Sequence, residues 1–373
     1  MELESKSING LAVVIRSAPI FIEKAAKYSG AVVRFTLFLW GTAGRRAPFS
    51  ILIEKGVVFL EPILLSAPCK DYIWGGTRLR TLFHKISPLC RLAESWELSC
   101  HKDGPSVLAS GPDAGATLPA YLHKMGPDIL GEDCKRFDFF PVLIKLIDAK
   151  ENLSVQVHPN NDYALRAEGE YGKTEMWYVL DAAPGAVLYY GLNRPATKDE
   201  FRAKIEDGSL IGLLRAVPVK KGDVFFIEAG TIHAIGAGIL LAEIQQNSNT
   251  TYRVFDYGRG RPLHIDKALD VAQLQPIDRS ARPAGPTIQF DGYSSTLLAA
   301  CEFFTVFNLD VETSAHLSVG NESFHSLLCI EGNGTIEYQD KHYPLQMGDS
   351  YFLPASMGNY VVTGRCGVLL TSV

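Results

Sequence analysis

The stretch SVQVHPNND, Ser154 to Asp162, places a serine, a glutamine and a histidine at every second position. Side chains on a strand alternate between its faces, so Ser154, Gln156 and His158 point one way and Val155 and Val157 the other. The valines read as core, which leaves a polar row with metal-binding chemistry in it. Two other strand-like segments carry donors of the same kind, Glu175 in GKTEMWYVL and His233 in GTIHAIG. Two imidazoles, a carboxylate and an amide oxygen suit a borderline cation such as Zn2+, with room left for water or substrate. One histidine alone is more often packed core or surface than a ligand. Four suitable donors on strands, which place side chains accurately, shift that balance. Gln156 is the weakest donor and can stand just outside the ligand shell.

The elements that must position these residues are mostly strands. From Val57 the chain is turn-rich and strand-like, with Gly and Pro closing each run: VVFLEPILLSAP, AESWELSC, FDFFPVLIKLIDAK, NLSVQVHP, TEMWYVLDA, GAVLYYGL, GDVFFIEAGTIHAIG and LLAEIQQNS. Two segments read as helices. TLPAYLHKMGPDILGED (117–133) has Thr117 as its cap, and TKDEFRAKIEDGSLIGLLRAV (197–217) has the capping-box pair Thr197 and Glu200.

A repeat lies within the strands. GDVFFIEAGTIH (Gly222 to His233) and GDSYFLPASMGN (Gly348 to Asn359) align through the Gly-Asp start, the apolar block and the alanines Ala229 and Ala355. Repetition of a strand unit implies two related β-modules. Asn359 falls where the first copy has His233, so the second module is expected to hold no metal. The G-D-x6-G-x2-H pattern of Gly222 to His233 resembles a conserved motif of the cupin superfamily. The expected fold is therefore mainly β, with two cupin-like barrel or jelly-roll modules: a catalytic one over 57–285 with a helical insert at about 197–217, and a non-catalytic one over 286–373.

Bulk properties bound the function. With 373 residues, 47% hydrophobic and 21% charged, the chain can bury a large core. A net charge of -5, with both signs mixed along the chain, argues against nucleic acid as partner. The seven cysteines are scattered, with no CxxC, so neither a disulfide framework nor a thiolate zinc site is indicated and the cytoplasm is the expected compartment. Residues 1–56 differ in character. Their apolar runs are broken by Arg16, Lys24, Lys27 and Arg34, too short and charged to span a membrane, and the acidic start MELESK does not suit a signal peptide. They read as an extension outside the working domain, the alternative being a helical or membrane-surface appendage.

SVQVHPNNDYA, GKTEMWYVL, GTIHAIGAG and EIQQNSNTTYRVFDYGR together resemble successive motifs of the type I mannose-6-phosphate isomerases, in their shorter bacterial form, from about Val57 to the C-terminus. The resemblance implies reversible conversion of mannose 6-phosphate to fructose 6-phosphate through a cis-enediolate, with one zinc per chain held by Gln156, His158, Glu175 and His233. It makes Arg253, Glu243 and Lys173 the catalytic candidates, and Ser154, Lys145 and Arg259 the substrate-binding ones. Arg259 would share a strand face with Arg253 if the chain stayed extended, and Trp74 would wall the pocket. The longer family members carry an aromatic residue where this chain has Ile235, so a tyrosine-mediated step is not expected. A phosphosugar is the expected partner, and the protein a monomer or weak homodimer. Two rival readings are an iron dioxygenase of cupin type and a sugar-phosphate sensor without catalysis. The polar row Ser154, Lys173, Arg253 and Arg259 favours a phosphosugar over an apolar oxygenase substrate.

Overall fold

The computed structural model describes residues 60–278 and 281–373, together with four short strands before them. Contacts divide the chain into Met1–Phe59 and Leu60–Val373. In the first unit Ser5–Ile8 pairs with Leu11–Val14, and Arg34–Trp40 with Arg46–Leu52, both antiparallel. The described parts of this segment are therefore strand pairs, not the helical appendage considered above, and the rest of the 1–56 extension lies outside the described residues.

Leu60–Val373 is built on antiparallel sheets. A six-stranded sheet runs in the order Val224–Ile227, Glu175–Ala182, Ile239–Gln246, Val142–Ala149, Glu94–Leu98, Cys69–Lys70. A five-stranded sheet runs Leu214–Pro218, Val187–Leu192, His233–Ile235, Val155–Val157, Tyr252–Phe255. Trp177, Val179 and Ile147 of the first sheet pack with Leu188, Tyr190 and Ile235 of the second, forming a core between them. Every residue of Val142–Ala149 is buried. Ile144 and Leu146 belong to an outer core, whereas Ile147 and Ala149 belong to the inner one. The period of two thus sends Lys145 inward.

The other face of the metal strand follows the same rule. Val155 and Val157 are packed with Phe201 and Ile205 of helix Lys198–Glu206 and with Ala268 and Leu269 of helix Ile265–Val271. Thr197 caps the former helix, accepting a hydrogen bond from Glu200 N at 3.1 Å. The helix is shorter than the 197–217 pattern suggested, because Leu214–Pro218 pairs as a strand with Val187–Leu192. The 117–133 segment is likewise interrupted. Thr117 caps Leu118–Met125, but Gly126, at φ 85°, stops that helix and two 3-10 turns follow. Helices Asn161–Ala167 and Ile265–Val271 have no counterpart in the sequence reading.

The second module is a ten-stranded sheet with its own apolar cluster. It is completed by Ile63–Ser66 and Val107–Leu108 from far earlier in the chain, the former pairing with Ser350–Leu353. Leu328, Phe352 and Leu369 on its outer side join Ile144, Met176 and Ile244 of the six-stranded sheet in one shared core. Among the described residues no helix is long and apolar enough to cross a membrane.

Candidate active site

Both sheets of the first module contribute to one buried cluster. His233 opens its strand and stands opposite Gln156, whose other neighbour is Arg253, while His158 follows Val157 at the strand's end. Glu175 comes from the facing sheet. The ligating atoms of His158, Glu175 and His233 lie within 4.8 Å of one another, all buried. Each imidazole is aimed by its Nδ1–H, which donates to Thr250 O at 2.8 Å in His158 and to Thr231 O at 2.9 Å in His233. Both rings therefore turn an Nε2 lone pair into the cluster. Burial, followed by Lys173, drives the His158 pKa far down, and burial brings His233 to about 3, so both rings are neutral, the form that binds metals.

This arrangement leaves acceptors facing one another. His233 Nε2 lies 3.2 Å from Glu175 Oε1, and His158 Nε2, itself 3.3 Å from Lys173 Nζ, lies 3.9 Å from Glu175 Oε2. Both Glu175 oxygens are buried without a well-directed hydrogen bond, although Lys173 Nζ approaches one at 2.9 Å. Burial pushes the Glu175 pKa up to about 8 against the pull of Lys173. Convergent lone pairs on two imidazoles and a carboxylate are what a divalent cation relieves, so the residues fit a metal. The Gln156 amide stands 3.2 Å from His233 Nε2, within reach as a further donor.

Beside the cluster, one row crosses the six-stranded sheet in register: Trp96, Lys145, Glu243, Trp177 and Phe225. Lys145 Nζ is 3.0 Å from Glu243 Oε1 and 3.9 Å from Glu94 Oε2. Each carboxylate also accepts from an indole: Trp177 Nε1 donates to Glu243 at 2.9 Å and Trp96 Nε1 to Glu94 at 2.7 Å. Burial alone would raise the Glu243 pKa, but Lys145 and Lys173 outweigh it and hold it at about 2. Burial works against the Lys145 cation, yet Glu243 and Glu94 keep its pKa above the ordinary value. Glu243 is thus a firmly ionised carboxylate, not the raised-pKa acid that a dry pocket by itself would produce.

Lys145 and Glu243 of the row, with Gln156 and Lys173 beside the cluster, line a cavity of about 270 Å³ together with Tyr72, Trp74, Glu94, Ser154, Asn249, Arg253 and Arg261, among others. Arg253 Nε donates to Ser154 Oγ at 3.2 Å. A small polyhydroxylated anion suits such a lining, with cations and acceptors alternating around it.

The family description "Phosphomannose isomerase type I, catalytic domain" matches residues 63–180, and "Mannose-6-phosphate isomerase, cupin domain" matches residues 294–373. A mannose-6-phosphate isomerase of Streptococcus mutans is 38% identical over 316 residues, covering 83% of this chain and 97% of that protein. The mannose-6-phosphate isomerase ManA of Bacillus subtilis is 38% identical, with 82% and 96% covered. The chain belongs to the type I phosphomannose isomerases. It is accordingly an isomerase on a cupin-related fold. A crystal structure of a Bacillus subtilis mannose 6-phosphate isomerase superposes with a TM-score of 0.78 at 37% identity, covering 84% of this chain and 99% of that one.

Within this phosphomannose isomerase chain, nine of the ten residues singled out from sequence gather at the two-sheet site: Ser154, Gln156, His158, Glu175, Lys173, Lys145, His233, Glu243 and Arg253. Arg259 does not line the cavity. The strand stops at Phe255, and Tyr257 (φ 54°) and Gly258 (φ 74°) turn the chain, so the alternation that was to align Arg259 with Arg253 is broken. Its guanidinium donates instead to Asn152 O at 2.7 Å and meets Glu151 at 3.2 Å. Arg261 lines the cavity in its stead, held by Asp256 at 2.9 Å. Sequence reasoning also missed Glu94 and Asn249. The alternation of Glu94 and Trp96 in AESWEL repeats that of Glu175 and Trp177 in TEMWYV and could have marked Glu94. Asn249 lies in a loop with no such signal.

Proposed function

We propose that the chain interconverts mannose 6-phosphate and fructose 6-phosphate by proton transfer through a cis-enediolate, with one Zn2+ held by His158, Glu175, His233 and Gln156. The observation that carries this reading is the set of converging lone pairs of His158, His233 and Glu175, which Gln156 and Lys173 join to a cavity lined with basic side chains. Bound there, zinc supplies Lewis-acid polarisation of a sugar oxygen. Arg253, beside Gln156, stabilises negative charge on the enediolate. Glu243 accepts a proton. It is a weak base while Lys145 contacts it, and substrate oxygens that draw Lys145 away restore its basicity. Lys173, between His158 and Glu175, holds or returns a proton at the sugar oxygens. Ser154 and Lys145 bind the sugar, and the phosphate takes the cationic mouth, where Arg261 has the position expected of Arg259.

The work is that of a cytoplasmic enzyme on a small phosphosugar, as a monomer or weak homodimer. All seven cysteines are free. The deciding experiment is a coupled isomerase assay on metal-loaded protein with and without chelator. Isomerisation that chelator abolishes and zinc restores is expected, and turnover of mannose 6-phosphate unaffected by complete metal removal would overturn the reading.

A further inference from the structure

Glu170 has no part in the site as described, yet it is tied to it through one peptide. Its Oε2 accepts from Asn249 N at 3.3 Å and from Thr250 Oγ1 at 3.4 Å, and lies 3.5 Å from His101 Nε2. Its Oε1 meets Lys102 Nζ at 2.7 Å. The residues it grips face the site from both ends. The Thr250 carbonyl accepts from His158 Nδ1 at 2.8 Å, and Asn249 lines the substrate cavity. Asn249 Nδ2 also donates to Asp103 at 2.9 Å, so Asp103 and Glu170 both grip Asn249.

A metal-bound imidazole depends on the partner of its other nitrogen. That partner selects the tautomer and the ring orientation, and losing such a contact costs about 10–100-fold in metal affinity or activity. For His158 the partner is a main-chain oxygen in an irregular loop, beyond the end of strand Ile239–Gln246. No ladder of hydrogen bonds holds Thr250 O in place; its residue is gripped by Glu170 through Oγ1 and by the neighbouring Ser248, whose Oγ accepts from Thr250 N at 3.2 Å. Resting on the metal reading above, we infer that Glu170 is a positioning residue for His158, fixing the Asn249–Thr250 segment so that the Thr250 carbonyl points Nε2 of His158 at the cation.

The test is a Co2+ titration of chelator-stripped protein, followed by visible absorption and by competition with a chromophoric chelator. Melting of the metal-free protein is recorded alongside. Glu170→Ala is expected to raise the Co2+ dissociation constant about tenfold or more while metal-free melting stays near wild type. Glu170→Gln keeps an acceptor oxygen and is expected to restore most of the affinity. Lys102→Ala touches only the outer oxygen and leaves affinity unchanged. Should Glu170→Ala fail to fold, Thr250→Val removes one of the two contacts and is expected to weaken Co2+ binding by a smaller factor. Wild-type affinity in Glu170→Ala, or in Thr250→Val if that variant has to stand in, overturns the inference and leaves the metal site standing. Failure of the wild-type protein to bind any divalent ion overturns both.

Discussion

The two β-modules share a backbone device and fill it differently. In each, a Gly-Asp turn precedes an inward strand. Gly222 and Gly348 have φ of 89° and 99°, and Asp223 and Asp349 accept from Lys220 N and Gln346 N at 2.9 and 2.8 Å. Glu175 pairs with Ile227 in the first copy as His325 pairs with Leu353 in the second. The row Trp96, Lys145, Glu243, Trp177, Phe225 has its counterpart in Leu297, Phe307, Leu370, Leu327, Tyr351. One copy carries an ion pair, and the other is without charge along the same line. The His233 position differs in a further way. Sequence sets Asn359 there, but Gly358, at φ 91°, shifts the alternation by one, so Asn359 faces solvent and Tyr360 turns inward onto His325 Nδ1 at 3.0 Å. Among the described residues the one potential metal cluster is in the first module. The fold therefore needs the turn and the strands, while the charged filling is dispensable to it and belongs to the chemistry.

That comparison can be broken most severely at the cluster itself. His233→Ala should lose its bound ion and drop to background turnover with its circular dichroism intact, whereas Asn359→Ala should behave as wild type. Full metal occupancy in His233→Ala, read by elemental analysis, would remove His233 from the ligand set.

A second test converts the first row toward the second. Lys145→Met leaves Glu243 and Glu94 buried without their cation and should cost about 3–5 kcal/mol in denaturant unfolding. The double variant Lys145→Met/Glu243→Leu should recover most of that loss, or exceed wild type, and remain inactive. If the double variant is as unstable as the single one, the ion pair is structural after all.

At the mouth, Arg253→Ala should lower turnover about 100-fold with little change in KM, because the charge it meets develops during the reaction. Arg261→Ala should raise KM and spare turnover, since the phosphate carries the same charge throughout. Steady-state kinetics separate the two, and a pure KM effect at Arg253 would make it a binding residue.

The smallest effect belongs to the second module. Tyr360→Phe removes the bond to His325 and should cost about 1 kcal/mol with activity unchanged. Burial lowers the His325 pKa to about 4. Since an unfolded histidine titrates near 6.5, the unfolded chain binds more protons in that window, and His325 contributes a loss of stability as pH falls from about 6.5 toward 4. A His325→Phe variant should show a shallower decline of melting temperature over that range.

Much of this site was legible because strand alternation transmits directly from sequence to face. Ser154, Gln156, Val155 and Val157 obey it, and so do Lys145 and Glu243 within otherwise apolar runs. Legibility ended where alternation did. Arg259 was misplaced because a turn of positive-φ residues intervenes, and Asn359 because a single glycine reverses the faces. The helix Asn161–Ala167 went unread although Asn160 caps it, accepting from Tyr163 N at 3.0 Å, because its seven residues are too few to display a helical period. Glu170 and Asn249 act across loops, and no periodicity relates them.

Val155 and Val157, anchored against Phe201, Ile205 and Leu269, have a consequence for how the chain reaches its native pairing. A slip of that short strand by one residue would exchange its faces, pressing Gln156 into an oily layer between sheet and helices and turning the valines toward the catalytic pocket. The penalty falls on the slipped state, through a buried amide without partners. Two ordinary aliphatic side chains on the far side of the sheet thus act as a proofreading step in assembly, rejecting misregistered chains without help from substrate.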